Sequence, residues 1–318
     1  MNVLYLIGGT MGVGKTTAAE ALRARLPDSL WLDGDWCWMM KPFDPTDAMK
    51  KMVMDNITDV MTRFLKSERQ AVIFSWVMHQ QAIIDELLRR WPTQNYKIVA
   101  VSLVAPEDEL ERRMRIRGDS EAAIERSKAR LPLYDALNTV QIDVSGLTPA
   151  ETAIQIELAG QNTHRMVMDS PVGPLAFTDN GHAITAIEAA PRESVSPLRT
   201  PIGRQAEAEL REYFAGKRTA FTFPTRIAGT EYQKRVWATV RDIPYGETCT
   251  YGELAEAIGS KLARPIGIAL HRNPLLIVTP CHRVIGANGD LIGYSAGLEI
   301  KQRLLEFERN MIRHRIRP

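Results

Sequence analysis

Val3-Leu4-Tyr5-Leu6-Ile7-Gly8-Gly9-Thr10-Met11-Gly12-Val13-Gly14-Lys15-Thr16-Thr17 decides how the first half of the chain folds. Val3–Ile7 is an apolar run of strand character, and Thr16–Leu26 has helical spacing. Between them, Gly9 to Thr16 satisfies G-x-x-x-x-G-K-[ST] in full, in the strand-to-helix context the motif needs. Gly9, Gly12 and Gly14 let the backbone bend so that its N–H groups converge on phosphate oxygens at a helix start. Lys15 is expected to reach the β- and γ-phosphates of ATP, and Thr16 to offer its hydroxyl to Mg²⁺. Thr17 is expected to join the nucleotide contacts.

Outward from this loop, strand and helix patterns alternate. Leu30–Leu32, Ala71–Phe74 and Ile98–Leu103 read as strands, and Ala48–Leu65, Gln80–Arg90 and Glu109–Gly118 as helices. Such alternation predicts an α/β domain with a parallel sheet and helices on both faces. A short helix at Pro149–Leu158 precedes a boundary near residue 160, giving a first domain over residues 1–160.

That domain resembles the small P-loop kinases of the nucleotide, shikimate and gluconate kinase type, over about residues 1–158. The resemblance implies a P-loop NTPase fold. It also implies that Asp33 or Asp35, in Asp33-Gly34-Asp35, organises Mg²⁺ or orients the substrate hydroxyl. Arginines from Arg112, Arg113, Arg115 and Arg117 would close over the transferring phosphoryl group. Arg113 and Arg117 share one helical face, Arg112 and Arg115 another. Strand Ala71–Phe74 runs into Ser75-Trp76, where such proteins carry an aspartate, so metal organisation falls to Asp33 or Asp35. No residue names the phosphate acceptor.

The 318 residues suit two domains, and 45% hydrophobic with 25% charged residues is ordinary for a globular chain. No apolar run reaches the roughly 18 residues needed to span a bilayer, so a cytoplasmic protein away from membranes is expected; a monomer is expected too. Cys37, Cys249 and Cys281 are too few and too scattered for a disulfide framework or a zinc cluster. Residues 1–160 carry 19 Lys/Arg against 22 Asp/Glu, and residues 161–318 carry 21 against 16. The basic second half is compatible with a phosphate backbone as partner, though too weakly basic to establish one.

After residue 160, Met166–Met168, Leu175–Thr178 and Ile184–Glu188 read as strands of a small antiparallel sheet, with Asp179-Asn180-Gly181 as a turn. A helix is expected at Arg204–Phe214. Leu275–Thr279 reads as a buried strand, with Pro280-Cys281-His282-Arg283-Val284 at its end. A cysteine beside a histidine suits nucleophilic work, because the thiolate is the reactive form and a neighbouring base raises its population. The dipeptide alone is a weak signal, since a free cysteine is commonly an inert buried residue.

Residues 165–318 resemble the O6-alkylguanine-DNA alkyltransferases, through Pro280-Cys281-His282-Arg283-Val284, Asn273-Pro274 and Leu262-Ala263-Arg264-Pro265-Ile266-Gly267. Thr250-Tyr251-Gly252-Glu253, Gly293-Tyr294-Ser295-Ala296-Gly297-Leu298 and Glu308 match in the same order. The resemblance implies an α+β domain, with a small RNase H-like sheet over residues 165–225 and a helix-turn-helix catalytic and DNA-binding part over 226–318. Cys281 would take the alkyl group from O6-alkylguanine, and from O4-alkylthymine, in double-stranded DNA, once per molecule and with no cofactor. His282 would act as base through a water, and Glu308 would orient it. Tyr251 would neutralise the departing guanine. Asn273 would brace the turn, Ser295 would contact O6, and Val284 and Cys281 would offer backbone carbonyls.

Tyr251–Ile258 and Ala263–Leu270 would form the two helices of the DNA-binding motif. Arg264 would fill the gap left by a flipped nucleotide, and Gly267 would allow close approach to the backbone. Tyr294 joins the substrate contacts. Pro265 and Ala296 depart from the family's commoner residues, and the zinc ligands of some members are missing, so no structural zinc is expected. Two other readings compete. One is a lesion-binding module coupled to a nucleotide switch; the other is a small-molecule or nucleoside kinase with a repair domain as fusion partner.

Overall fold

Strand β1 (Asn2–Gly9) is buried because both its faces are covered. Leu4 and Leu6 enter one core layer, Tyr5 and Ile7 the other. The computed structural model describes residues 2–41, 45–67, 69–161, 163–191, 198–260 and 264–316, with side chains to 313. The chain divides into two units: Met1–Asn162 with Pro197–Pro201, and Thr163–Ser196 with Ile202–Pro318.

In the first unit β1 leads through the glycine loop into α1 (Lys15–Arg25), then β2 (Ser29–Asp33), α2 (Asp47–Leu65), β3 (Ala71–Ser75) and α3 (Gln81–Arg90). β4 (Tyr96–Val104), α4 (Glu107–Arg117), α5 (Glu121–Lys128), β5 (Val140–Asp143) and α6 (Pro149–Ala159) follow. Thr148 and Glu151 cap α6 reciprocally, with Pro149 at its first position. The sheet order is β2-β3-β1-β4-β5, all parallel. One core layer holds Leu22, Ile73, Val101 and Ile156; the other holds Val53, Ile57, Phe74 and Leu87. The order reverses beside β1, so the glycine loop sits where open α/β sheets bind ligands.

The second unit opens with an antiparallel sheet of β6 (His164–Met168), β7 (Leu175–Asp179) and β8 (Ile184–Ala189). Gly181 takes a positive φ of 83° in the turn between β7 and β8. Strand β9 (Leu198–Arg199) pairs antiparallel with β5 and belongs to the first unit. Then come α7 (Pro201–Phe214), α8 (Glu231–Arg241), β10 (Cys249–Thr250), α9 (Tyr251–Ala257), α10 (Arg264–His271), β11 (Val284–Ile285) and α11 (Leu298–Ile316). Thr250 and Glu253 form a capping box that fixes where α9 begins, with Tyr251 at its first position. One apolar core joins sheet and helices, including Phe177, Ile187, Leu210, Val236, Ile266, Leu275 and Leu304. The helix expected from Ala263 is described from Arg264; Lys261 to Ala263 lie outside the described residues.

One sequence expectation is overturned. Leu275–Thr279 is not a strand. Leu275 makes a single bridge to Ile187, and the chain then turns tightly, with Thr279 N donating to Leu275 O at 3.0 Å and Val278 N to Leu276 O at 2.8 Å. Ile277, buried and β-branched, takes a φ of 71°. An apolar run marks burial, and periodicity alone does not separate a buried strand from a buried turn. Among the described residues no helix is long and apolar enough to cross a membrane. Among them, too, no group of three or more His, Cys, Asp or Glu could hold a metal ion.

Candidate functional site

The turn over 275–280 delivers Cys281 to a cavity of about 860 Å³, lined also by Tyr251, Arg264, Gly267, Ile268, Ile292, Gly293 and Tyr294. Asn273 organises the turn. Its Oδ1 accepts from Leu275 N at 3.0 Å, and its Nδ2 faces Thr279 O at 2.9 Å, Leu275 O at 3.3 Å and Cys281 Sγ at 3.0 Å. The side-chain amide thereby does for the turn what a neighbouring strand would do for an extended segment. It also offsets the strain at Ile277, of order 1–3 kcal/mol for such a residue.

Burial pushes the Cys281 thiol up to about 11, against the Asn273 hydrogen bond and the charge of Lys301, which pull it down. At neutral pH the thiol therefore keeps its proton, and a nucleophile requires a base beside it. His282, fully buried, places Nε2 3.0 Å from Glu308 Oε1. Burial lowers its basicity and outweighs the Glu308 carboxylate, so the ring is neutral. Glu308 is unfavourably buried, yet hydrogen bonds from His282 and Arg283 hold its carboxyl well below the usual range. A carboxylate only accepts, so the ring proton sits on Nε2 and Nδ1 keeps its lone pair.

Every oxygen of Glu308 is engaged. Arg283 donates Nε to Oε2 at 2.9 Å and Nη2 to Oε1 at 2.8 Å, Tyr213 donates to Oε1 at 2.7 Å, and Gly246 N to Oε2 at 2.9 Å. Arg283 further donates Nη1 to Ile243 O at 2.7 Å. Across the cavity Tyr251 donates its hydroxyl to Ile292 O at 3.2 Å, and Lys301 Nζ reaches the same carbonyl at 2.6 Å. Burial raises the Tyr251 phenol, and so does the nearby Cys281.

The structure gathers Cys281, His282, Glu308, Asn273, Tyr251 and Tyr294 around one centre, with Arg264 and Gly267 of α10 on the cavity wall. Ser295 stands apart: Tyr294 turns inward, so its neighbour is exposed and lines an adjoining cleft with Asn273, Pro274 and Ala296. Val284 lies in β11, paired with Cys249, its side chain buried away from the cavity lining. Tyr213 and Lys301 escaped the sequence reading, and Arg283 stood in it only as a member of the motif around Cys281, with no role of its own. Lys301 could have been found, because Lys301, Leu304, Leu305 and Glu308 share one buried helical stripe on α11.

In the first unit Gly9, Gly12 and Gly14 take positive φ values of 145°, 87° and 106°. A Cβ at Gly12 would lie 2.4 Å from Met114 Cγ, so glycine lets α4 close onto the loop. Lys15 is buried and donates to Thr10 O at 3.0 Å. Burial lowers its amine to about 8, against Asp35 and Asp33, and with Arg117 and Arg130 pushing the same way as burial. Thr16 donates its hydroxyl to Asp33 Oδ2 at 2.9 Å. Asp33 pairs in register with Ser75, so the carboxylate absent from the end of β3 is supplied by the adjacent strand. Asp35 is raised, chiefly by burial. Thr17 lines a cleft of about 250 Å³ with Gly12, Gly14, Arg113 and Thr152.

The arginines of α4 divide unevenly. Arg113 is held by Glu109 at 2.6 Å and by Val144 O at 2.9 Å, and Arg117 by Asp119 at 2.6 Å. Sequence reasoning missed Arg130. Its backbone N donates to Ser127 O at 3.2 Å, the carbonyl that accepts the hydroxyl of Thr10 from the glycine loop at 3.1 Å. Its charge bears on both Lys15 and His79.

A phosphate-loop unit and a buried Cys–His–Glu cluster beside helices α9 and α10 define a nucleotide-binding fold joined to a thiol-acceptor unit. Residues 164–227 match the ribonuclease-like domain, and residues 231–310 the DNA-binding domain, of 6-O-methylguanine DNA methyltransferase. The chain belongs to the methylated-DNA–protein-cysteine methyltransferase family, and residues 6–132 match an AAA domain in addition. The methylated-DNA–protein-cysteine methyltransferase of Mycobacterium leprae is 45% identical over 156 residues, 47% of this chain and 94% of the relative. The solved O6-methylguanine methyltransferase of Mycobacterium tuberculosis is 39% identical, with a TM-score of 0.43 over 47% of this chain and 94% of its own. The tunicamycin resistance protein of Deinococcus radiodurans is 22% identical, with a TM-score of 0.42 over 50% and 95%.

Proposed function

We propose that the second unit, divided near 225 into a ribonuclease-like part and a catalytic part, repairs DNA by taking an alkyl group from O6 of guanine, and from O4 of thymine, onto Cys281. The observation that carries this reading is the Cys281 thiol on the wall of a cavity, with Asn273 on its sulfur and a neutral His282 oriented by Glu308 beside it. The His282 lone pair receives the thiol proton through a water, and the imidazolium formed is stabilised by Glu308. The sulfur displaces the alkyl carbon from O6, and Tyr251 gives its proton to the departing guanine.

The reacting atom is inaccessible inside a duplex, so the nucleotide is flipped out, with Arg264 at the cavity mouth filling the gap and Gly267 leaving α10 smooth against the backbone. The thioether is stable, so each molecule acts once. Incubation with duplex DNA containing O6-methylguanine adds one methyl group to Cys281, read by peptide mass. An unmodified, reduced Cys281 after complete incubation would overturn the reading.

We infer that the first unit binds ATP with Mg²⁺. Lys15 and the loop N–H groups would hold the phosphates, and Gly12, Gly14 and Thr17 border the adjoining cleft. Thr16, with Asp33 behind it, would hold Mg²⁺, which supplies charge neutralisation between phosphates. The division between Asp33 on Thr16 and the raised Asp35 favours Asp35 as the group that orients an acceptor hydroxyl.

A further inference from the structure

Two buried polar atoms of the Cys281 site have no hydrogen-bond partner among the described residues: His282 Nδ1 and the Tyr294 hydroxyl. Their rings meet edge to face, with centroids 6.5 Å apart and planes at 85°. Tyr294 is only 9% exposed and lines the cavity with Cys281. A phenylalanine would fill the same volume without burying an unpaired hydroxyl, which costs free energy. Packing therefore explains the ring of Tyr294 but not its oxygen.

The groups facing this corner restrict what the oxygen can do. Glu308 is saturated by His282, Arg283, Tyr213 and Gly246. Tyr251 donates to Ile292 O, and Lys301 donates to the same carbonyl and to Gly293 O at 3.4 Å. Burial, Cys281 and Glu308 together hold the Tyr294 phenol well above its ordinary value, so it is a donor at every working pH. His282 Nδ1 is an acceptor, and the Cys281 thiol has a proton to lose. Water is the smallest species that accepts from two donors while donating to a third atom.

Resting on the reading of Cys281 as alkyl acceptor, we propose that Tyr294 is a positioning residue whose hydroxyl holds the water that carries the Cys281 proton to His282 Nδ1. Tyr294 donates to one lone pair of that water and the thiol to the other, while one water hydrogen points at Nδ1. In the transfer the sulfur proton moves to the water oxygen and a water proton moves to Nδ1. The S–C bond forms as the C–O6 bond breaks, and the electron pair leaves on guanine, which takes the proton of Tyr251. Water is regenerated, and the imidazolium charge faces Glu308.

The test is Tyr294→Phe in the full chain, with three readouts: methyl transfer from duplex DNA between pH 6 and 10, alkylation of Cys281 by iodoacetamide over the same range, and the melting temperature. Near pH 7 transfer should fall by up to about a hundredfold, as expected when a reacting group is mispositioned. The deficit should shrink as pH rises toward the thiol's own ionisation near 11. The iodoacetamide profile should move to higher pH in parallel, with melting unchanged or raised. Wild-type rates throughout, or a deficit equal at every pH with lowered melting, would overturn the proposal. If the wild-type chain transfers no methyl group, the acceptor reading fails. The iodoacetamide profile then still reports whether Tyr294 governs the thiol proton.

Discussion

Arg283 grips both oxygens of Glu308, at 2.9 and 2.8 Å, on the same carboxylate that orients His282 at 3.0 Å. All three side chains are buried, so the pair is a scaffold for the base and not a surface ornament. Truncating one partner of a buried pair leaves the other charge uncompensated, at about 3–5 kcal/mol. Arg283→Met should therefore lower stability by that order and also abolish methyl transfer, because Glu308 no longer has a fixed position. Denaturant unfolding followed by Trp237, buried in the second unit, reads the first effect. Stability within about 0.5 kcal/mol of wild type, the range of an ordinary surface change, would sink this account.

The same carboxylate sets an acid limit. Glu308 has a folded value below its ordinary 4.5, so the folded state binds its proton less readily than the unfolded chain does. Its contribution to stability is complete above about 4.5 and is lost as pH falls below that. Melting of the second unit should drop steeply between pH 5 and 3, approximate bounds set by that ordinary value, and Glu308→Gln should flatten the slope while lowering the plateau. An unchanged slope in the variant would show that other carboxylates control acid unfolding.

Much of this was legible in the sequence, for reasons visible at particular residues. Gly9 to Thr16 announces a strand, a loop and a helix because its motif joins local geometry to chemistry. The alternation of Leu4 and Leu6 with Tyr5 and Ile7 onto two faces follows from an all-apolar strand. Cys281, Asn273 and Glu308 are legible because each falls in a motif whose order along the chain matches the family's. What the sequence hid is pairing across distance. Arg283 meets Glu308 across 25 positions, and Thr10 meets Ser127 across 117. Leu275–Thr279 misled because its apolar character reports burial, while the turn is imposed by the Asn273 side chain.

Arg130, unlike Arg113 and Arg117, has no carboxylate bond among the described residues, and it is tied to the glycine loop through Ser127 O. An arginine stabilising charge on a transferring phosphoryl group contributes about 10³–10⁵ in rate. Arg130→Ala should thus cut ATP turnover by about 10³ while ADP still binds. It should also remove any extra affinity that aluminium fluoride gives to bound ADP. Arg113→Ala should instead loosen α4 from Val144 and lower melting. Equal loss of fluoride enhancement in both variants would contradict this assignment.

Lys15 should make nucleotide affinity and stability respond oppositely to alkali. Its amine is lowered from 10.5 to about 8 by burial, so between those values the unfolded chain binds more protons than the folded unit. Stability of the unliganded first unit should accordingly rise with pH across that window. Phosphate oxygens favour the charged amine, so binding above about pH 8 must draw in a proton, and affinity for ADP should fall as pH rises through that value. Calorimetric titrations at about pH 8.5, just above the folded value of the amine so that it is partly neutral before binding, in buffers of different ionisation heat would show proton uptake on binding. Lys15→Met should abolish both the uptake and the alkaline gain in melting temperature. Affinity that stays level from about pH 7 to 9.5 in the wild-type chain would mean that Lys15 does not face the phosphates.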